Sequence, residues 1–272
     1  MQGRLSPPVD GRIQAFPRDR WREEFALADG ADLRIMEWTL DHKELQQNPL
    51  MTAGGRREIR RLSDLHGVAV PSLTGDCFMQ APFWKASGDR RRKLEGVVLA
   101  VLDACHTVGI TTVVLPLVDQ GSLADEAEEE SLVKFLLGRV EDLDRSGLQV
   151  AFESDLAPCN LAAFIERFPS GLFGINYDIG NSASLGFDPV EEFAAYGTRI
   201  VNVHVKDRYL GGTTVALGEG DADFEAVYTG LSDLGYSGNF ILQTARDPGG
   251  RHLSSLVRFR DMTVDWMKHH GL

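Results

Sequence analysis

One pattern recurs along the whole chain: a short apolar or alternating segment is followed by a longer amphipathic segment. This order is typical of βα units around a parallel sheet. The predicted strands cover residues 1–5, 33–38, 68–73, 112–117, 148–153, 172–177, 200–206 and 239–244. The predicted helices cover residues 19–28, 55–66, 89–108, 125–145, 158–167, 189–196, 224–234 and 252–270. Eight strands alternating with eight helices favour a closed (β/α)8 barrel, the TIM-barrel type of α/β fold.

The length of the chain agrees with this fold. Its 272 residues are close to the roughly 250 that one such barrel needs. No low-complexity linker and no sharp change of composition divides the sequence, so we predict a single domain over residues 1–272. A dinucleotide fingerprint of the GxGxxG type after the first strand is missing, which argues against a Rossmann fold.

Charge and composition limit the kinds of partner that this chain can bind. The chain has 28 Lys and Arg against 40 Asp and Glu, a formal charge of -12, so its field repels polyanions and we predict no nucleic-acid partner. The longest apolar runs are far shorter than the roughly 18 residues that span a bilayer, and we predict no membrane partner. Three widely spaced cysteines and an N-terminus without an apolar signal segment predict a cytoplasmic protein.

The segment from Val201 to Asp207 has the clearest two-sided strand pattern. Its period of two sends three valines to one face and Asn202, His204 and Lys206 to the other. Alone, this pattern is equally typical of a half-exposed edge strand. A polar face of this kind also suits a strand that looks into a site.

Three further strands in the C-terminal half end on a residue that can bind a metal. The same parity argument places Glu153, Asp178 and Gln243 at the carboxyl ends of their strands, as it does His204. Working residues of such barrels lie at these ends. Two carboxylates, an imidazole and an amide oxygen suit Mn²⁺, Mg²⁺ or Co²⁺, and Zn²⁺ is also compatible. One such residue alone is more often structural, whereas four at matching positions predict a divalent-metal site.

Three short motifs add a resemblance to a known family. They are Asn-Tyr-Asp-Ile-Gly-Asn at 176–181, His-Val-Lys-Asp at 204–207, and Gly-Glu-Gly at 218–220 followed by Asp223 and Phe224. Their order and spacing resemble the sugar phosphate isomerases and epimerases with xylose isomerase-like barrels, and most of all the L-xylulose and L-ribulose 5-phosphate 3-epimerases. The tagatose and psicose 3-epimerases are more distant. The resemblance extends along essentially the whole chain and is densest from residue 148 to 244.

The resemblance implies roles for the four strand-end residues. The family holds a divalent metal with Glu, Asp, His and Glu from strands five to eight, which correspond here to Glu153, Asp178, His204 and Gln243. The metal polarises the substrate carbonyl, and the two glutamates act as acid and base on opposite faces of one carbon. Glu153 is the implied base. Gln243 departs from the family, because an amide oxygen can bind a metal but cannot take up or return a proton.

Other residues are candidates for substrate binding. Glu37 could bind sugar hydroxyls, Lys206 and Arg246 could bind a phosphate or carboxylate, and Trp84 could form an aromatic wall. Each has a structural alternative: Lys206 and Arg246 could neutralise nearby acids, and Trp84 could simply be packed. Gly218 and Gly220 could approach a phosphate or form an ordinary turn. Asp76 and Asp119 fall in loops where an acid could bind a hydroxyl group. The set of predicted substrate-binding residues is Glu37, Asn181, Lys206, Asp207, Arg246 and Trp84.

The sequence thus predicts a metal-dependent isomerase or epimerase of a small sugar or sugar phosphate, with Glu153 and Gln243 at the reacting centre. A lyase or dehydratase that uses one carboxylate is the first alternative, because Gln243 replaces the second glutamate. A barrel that binds a sugar without turnover is another. A nuclease of the related endonuclease barrel would need more histidine ligands and a basic surface, which this acidic chain does not have. A homodimer is left open.

Overall fold

The computed structural model describes residues 1–2 and 4–272, and Gly3 lies outside the described residues. Seven parallel strands form one nearly closed sheet in chain order. They are β1 (Ile35–Thr39), β2 (Ala69–Thr74), β3 (Thr112–Leu117), β4 (Gln149–Ser154), β5 (Phe173–Asp178), β6 (Ile200–Val205) and β9 (Asn239–Leu242). A two-stranded antiparallel ribbon, β7 (Asp207–Arg208) with β8 (Thr214–Val215), extends beyond β6. The predicted barrel class is therefore confirmed.

The eighth position of the barrel is filled without a regular strand. The amide of Glu37 donates to the carbonyl of Met1 at 2.8 Å, and the amide of Gln2 donates to the carbonyl of Leu242 at 3.2 Å. The start of the chain thus lies between β1 and β9. The predicted strand at 1–5 is wrong for the described residues, because the amides of Leu5 and Ser6 donate to the buried Glu24 carboxylate rather than to a neighbouring strand.

Helices surround the sheet as the repeat predicts. They are α1 (Trp21–Gly30), α2 (Ala53–His66), α3 (Asp76–Gln80), α4 (Gly88–Val108), α5 (Glu126–Leu137), α6 (Val140–Ser146), α7 (Pro158–Glu166), α8 (Ile179–Leu185), α9 (Pro189–Tyr196), α10 (Phe224–Asp233) and α11 (His252–His270). The predicted single helix at 125–145 is wrong. It breaks into α5 and α6 at Gly138 and Arg139, where glycine disfavours a helix interior. None of the helices in the described ranges is both long and apolar enough to cross a membrane.

The two faces of the strands differ in chemistry. Phe152 of β4 packs against Phe164 of α7, with ring centroids 5.0 Å apart, in the apolar layer between sheet and helices. Its neighbour Glu153 lies on the opposite face, as the alternation of strand side chains requires. Polar residues are buried inside the barrel, among them Asn176 and Asn202, 2% and 0% exposed. Asn202 connects this interior to the site, because its side-chain amide donates to Asn176 Oδ1 at 2.7 Å and to Glu37 Oε2 at 3.2 Å.

Candidate active site

Three of the four predicted metal ligands meet inside the barrel. Glu153 lies near the end of β4, Asp178 ends β5, and His204 lies in β6 directly opposite Asp178 in the strand register. His204 Nδ1 is 3.2 Å from Glu153 Oε2 and 3.7 Å from Asp178 Oδ2. One donor atom from each residue lies within 4.8 Å of the other two. All three are at least 94% buried, so a cation among them would be largely shielded from water.

Glu37 holds the other side of the imidazole. Its Oε1 is 2.8 Å from His204 Nε2, while its Oε2 accepts from Ser72 at 2.8 Å and from Asn202 at 3.2 Å. Burial alone would raise the pKa of Glu37, but the charge of His204 and these hydrogen bonds lower it to about 2. Glu37 is therefore an anion that fixes the ring with Nδ1 towards Glu153. A carboxylate on the far nitrogen is the usual support of a metal-binding histidine.

The charge of this carboxylate also acts on His204. Burial by itself would lower the pKa of His204, whereas Glu37 and the hydrogen bonds to Asp178 and Glu153 raise it well above its usual value. Three carboxylates thus surround this one ring and favour its protonated form. A cation at Nδ1 would take the place of one proton, since a ligating histidine must be neutral on that nitrogen.

Lys206 occupies the position between Asp178 and Gln243. Its Nζ donates to Gln243 Oε1 at 2.8 Å, and to Asp178 Oδ2 and Asn181 Oδ1 at 3.2 Å each. Burial would raise the pKa of Asp178, but the Lys206 ammonium, His204 and the hydrogen bond from the Asn181 backbone together outweigh burial and keep that pKa below its usual range. The amide oxygen of Gln243 therefore accepts a hydrogen bond from the same ammonium that is paired with Asp178.

The motif at 176–181 fixes the carboxylates of Glu153 and Asp178 by hydrogen bonds. The side-chain amide of Asn181 donates to Glu153 Oε1 at 2.7 Å, and its backbone amide donates to Asp178 Oδ1 at 2.8 Å. Asn176 donates to Glu153 Oε2 at 2.8 Å. A Cβ at Gly180 would lie 2.7 Å from Lys206 Cγ, so only glycine lets the Lys206 side chain pass there. The motif is thus explained by contacts within the site.

Four of the predicted substrate-binding residues have other contacts. Asp207 is fully buried and accepts from the amides of Gly218 and Gly220 at 2.8 and 2.9 Å, so these glycines hold a carboxylate of the chain itself. Trp84 is buried and donates to the carbonyl of Gly121 at 3.2 Å.

The remaining two, Arg246 and Glu37, also bond to the protein itself. Arg246 binds the carbonyls of Ser6 and Ile13 and so anchors the N-terminal loop. Glu37 lies beneath His204. Contact of any of these four residues with a substrate stays a prediction.

A cavity of about 540 Å³ opens above the triad at the carboxyl ends of the strands. Glu153, Asn181, Lys206 and Gln243 form part of its wall, as the sequence predicts. Further wall residues are Arg12 and Gln14 from the N-terminal loop, Asp76 from α3 and Arg208 from β7. The sequence did not assign Arg12, Gln14 or Arg208 to the site, because no strand pattern leads into their segments. A second cavity of about 580 Å³ beside residues 16–22 and 41–55 contains none of the triad.

A TIM barrel with a buried carboxylate and imidazole cluster at the carboxyl ends of its strands defines the class of this protein. The family model described as xylose isomerase-like TIM barrel matches residues 25–261. The chain belongs to that family, and the resemblance seen in the motifs is confirmed.

Known proteins agree with this placement. The L-ribulose-5-phosphate 3-epimerase UlaE of Salmonella paratyphi C is 26% identical over 263 residues, which cover 93% of this chain and 92% of that protein. The solved structure of a xylose isomerase domain protein from Planctomyces limnophilus has a TM-score of 0.76 at 18% identity, over 97% of this chain and 96% of that one. The IOLI protein, solved with a binding zinc atom, has a TM-score of 0.73 at 16% identity, over 92% and 94%.

Proposed function

We propose that this protein is a divalent-metal-dependent isomerase or epimerase of a small sugar or sugar phosphate. The observation that carries the proposal is the convergence of Glu153, Asp178 and His204 beneath an open cavity of about 540 Å³. The relative named as an L-ribulose-5-phosphate 3-epimerase supports the reaction class, since the similarity extends over nearly the whole of both chains. The acidic surface suits a small substrate rather than a nucleic acid.

The triad suits a divalent cation by its chemistry and spacing. The two carboxylate oxygens lie 3.2 and 3.7 Å from the imidazole nitrogen. These three atoms could bind one ion and leave some of its coordination positions open. Mn²⁺, Mg²⁺ and Co²⁺ are our candidates, and the zinc in the IOLI structure keeps Zn²⁺ among them. Such a cation, when bound, would polarise a carbonyl and the hydroxyl beside it. Gln243 Oε1 accepts one hydrogen bond from Lys206, and its second lone pair makes it our candidate for a fourth ligand.

Glu153 is our candidate for the base. It lines the cavity, and one donor on each carboxylate oxygen, Asn181 and Asn176, fixes its direction. A fixed carboxylate next to the substrate carbon can remove the proton beside a carbonyl and form an enediolate. The same wall has three basic residues, Arg12, Lys206 and Arg208, which could bind a phosphate. It also has three acidic residues, Asp76, Asp119 and Glu153, which could bind hydroxyl groups.

A lyase or dehydratase of the same enediolate type is the second candidate. The observation that favours it is Gln243, an amide bound to Lys206 where the family has a carboxylate. In the loss of water beside a carbonyl, one base removes the proton from carbon, and the same acid form can give that proton to the departing hydroxyl group, which leaves as water. The two candidates therefore differ in whether the product keeps its hydroxyl groups.

Solvent deuterium incorporation is the experiment that tests both. L-Ribulose 5-phosphate, L-xylulose 5-phosphate, tagatose and psicose are incubated with the protein and Mn²⁺ in deuterated water and followed by NMR. Deuterium at C1 would indicate an isomerase, deuterium at C3 an epimerase, and loss of water a lyase. A panel in which no ketose exchanges, isomerises or loses water would contradict the proposed function.

Gln243→Glu is expected to tighten Mn²⁺ binding about tenfold, because an added carboxylate raises the ligand charge at the site. The gain is limited by Lys206, which would pair with the new carboxylate as it now binds the amide. Isothermal titration of the metal-free protein with Mn²⁺ measures the change without any substrate. Gln149→Glu is the control, because Gln149 begins β4 and so lies at the end of the barrel away from the site. Equal affinity in wild type and Gln243→Glu would show that position 243 does not bind the metal.

A further inference from the structure

Epimerisation at this site lacks one proton-transfer group. Glu153 alone can move a proton between neighbouring carbons on one face of an enediol, as an isomerase requires, but an epimerase inverts one carbon and needs an acid on the opposite face. Gln243 stands where the family has its second carboxylate, and an amide cannot supply that proton. Another residue of the cavity wall must do so if the protein is an epimerase.

Lys206 is poorly placed for this task although it lies in the wall. Its ammonium has three N–H donors, and three acceptors surround it: Asp178, Asn181 and Gln243. It would have to break one of these bonds to reach a substrate. Loss of its proton would also leave Asp178 without its counterion, at a fully buried position.

Asp76 is placed differently. It begins α3 immediately after β2, is 5% exposed, and lines the same cavity as Glu153 and Gln243. The preceding Gly75 allows the turn, because a Cβ there would lie 2.4 Å from the ring of Phe78 and 3.0 Å from the carbonyl of Val114. The turn is therefore too tight for a side chain, and it directs the next residue into the mouth of the barrel.

The contacts of Asp76 leave part of its carboxyl group available. Oδ2 accepts from the side-chain amide of Gln14 at 2.7 Å, while Oδ1 has no hydrogen bond within residues 1–2 and 4–272. A buried carboxyl with one fixed and one free oxygen can present the free oxygen to a ligand. Gln14 thus orients the group without neutralising it.

The surroundings of Asp76 favour a carboxyl that carries a proton. Burial is the largest effect and raises the pKa of Asp76 to about 7; the charges of Asp41 and Glu153 raise it further, against the Gln14 hydrogen bond and Arg4. The other charged residues of the same cavity wall are Arg12, Asp119, Lys206 and Arg208. A group with a pKa near neutrality can both give and accept a proton under ordinary conditions.

We propose that Asp76 is the second proton-transfer residue of this site and serves ketose or ketose phosphate substrates together with Glu153. Glu153 breaks the C–H bond and takes the proton, and the electron pair enters the enediolate. Asp76 then breaks its own O–H bond as that pair forms a new C–H bond with its proton. Glu153 ends protonated and Asp76 ends as a carboxylate, and exchange with water restores both. The proposal rests on the proposed function.

Asp76→Asn tests this role, because asparagine keeps the shape and cannot return a proton. With the ketose of the panel that wild type converts, we expect product formation to fall about 100-fold or more. Exchange of the substrate C–H with deuterated water, which needs only Glu153, should remain within about threefold of wild type. Asp76→Glu should keep more product formation than Asp76→Asn. Asp103→Asn, an exposed residue of α4, is the matched control.

Each result has one meaning once circular dichroism has shown that the variants are folded. Lost product with retained exchange supports the role of Asp76. Retained product overturns it and leaves the proposed function standing. Loss of both product and exchange also overturns it, since Asp76 would then bind substrate or shape the site. A wild-type protein inactive with every ketose of the panel overturns the proposed function and the role of Asp76 together, before any substitution is made.

Discussion

Glu153→Gln is expected to lower turnover of any ketose substrate by about 10³-fold or more, near the upper end of what one acid or base contributes. Glutamine has the same shape but cannot accept a proton. Asn176 and Asn181 now donate to the two carboxylate oxygens, and only one of these bonds can be kept in its present form by an amide. We therefore expect a small loss of stability and the loss of both product formation and deuterium exchange.

The control for this variant is Glu166→Gln, the same chemical change on the exposed side of α7. Turnover and bound Mn²⁺ are measured for both variants and for wild type, so that a loss of metal is separated from a loss of the base. Wild-type turnover in a metal-loaded Glu153→Gln protein would rule out Glu153 as the base. Turnover that falls only in proportion to lost metal would make Glu153 a ligand and no more.

The alternation of side chains between the two faces of a strand explains why the triad could be predicted from the sequence. Side chains of a strand change face at every residue, so Glu153, Asp178 and His204 follow from three separate strands once the barrel is assumed. The register confirms the argument where Asp178 lies opposite His204. The same rule accounts for Lys206, which lies two residues after His204 on the inner face.

Contacts between distant segments could not be predicted in this way. Glu37 meets His204 across 167 residues, and strand parity alone does not show that their side chains reach each other. Two of the regions where the prediction was wrong differ for local reasons. The start of the chain bonds to Glu24 instead of forming a regular strand, and Gly138 interrupts a helix. Loop conformations also determine which residues form the cavity wall. The hydrogen bond from Gln14 to Asp76 could therefore be found only in the structure.

His204→Ala is expected to have the largest effect on the fold. Both His204 and Glu37 are fully buried, and removing one partner of a buried pair leaves the other charge uncompensated. We expect the free energy of unfolding of the metal-free protein to fall by about 3–5 kcal/mol. Ser72, Thr74 and Asn202 still donate to Glu37, so the chain should remain folded in the absence of denaturant. Denaturant titration in the presence of a chelator measures the loss.

A second substitution separates the effect of the unpaired Glu37 charge on stability from the effect of the lost imidazole packing. Glu37→Gln in the His204→Ala protein should recover part of the lost stability, because a neutral amide is cheaper to bury than an unpaired carboxylate. His42→Ala, at an exposed position, is the single-variant control. Equal stability of His204→Ala with and without Glu37→Gln would contradict a buried ion pair. Both proteins should also bind Mn²⁺ far more weakly than wild type, since the imidazole is the only nitrogen ligand of the triad.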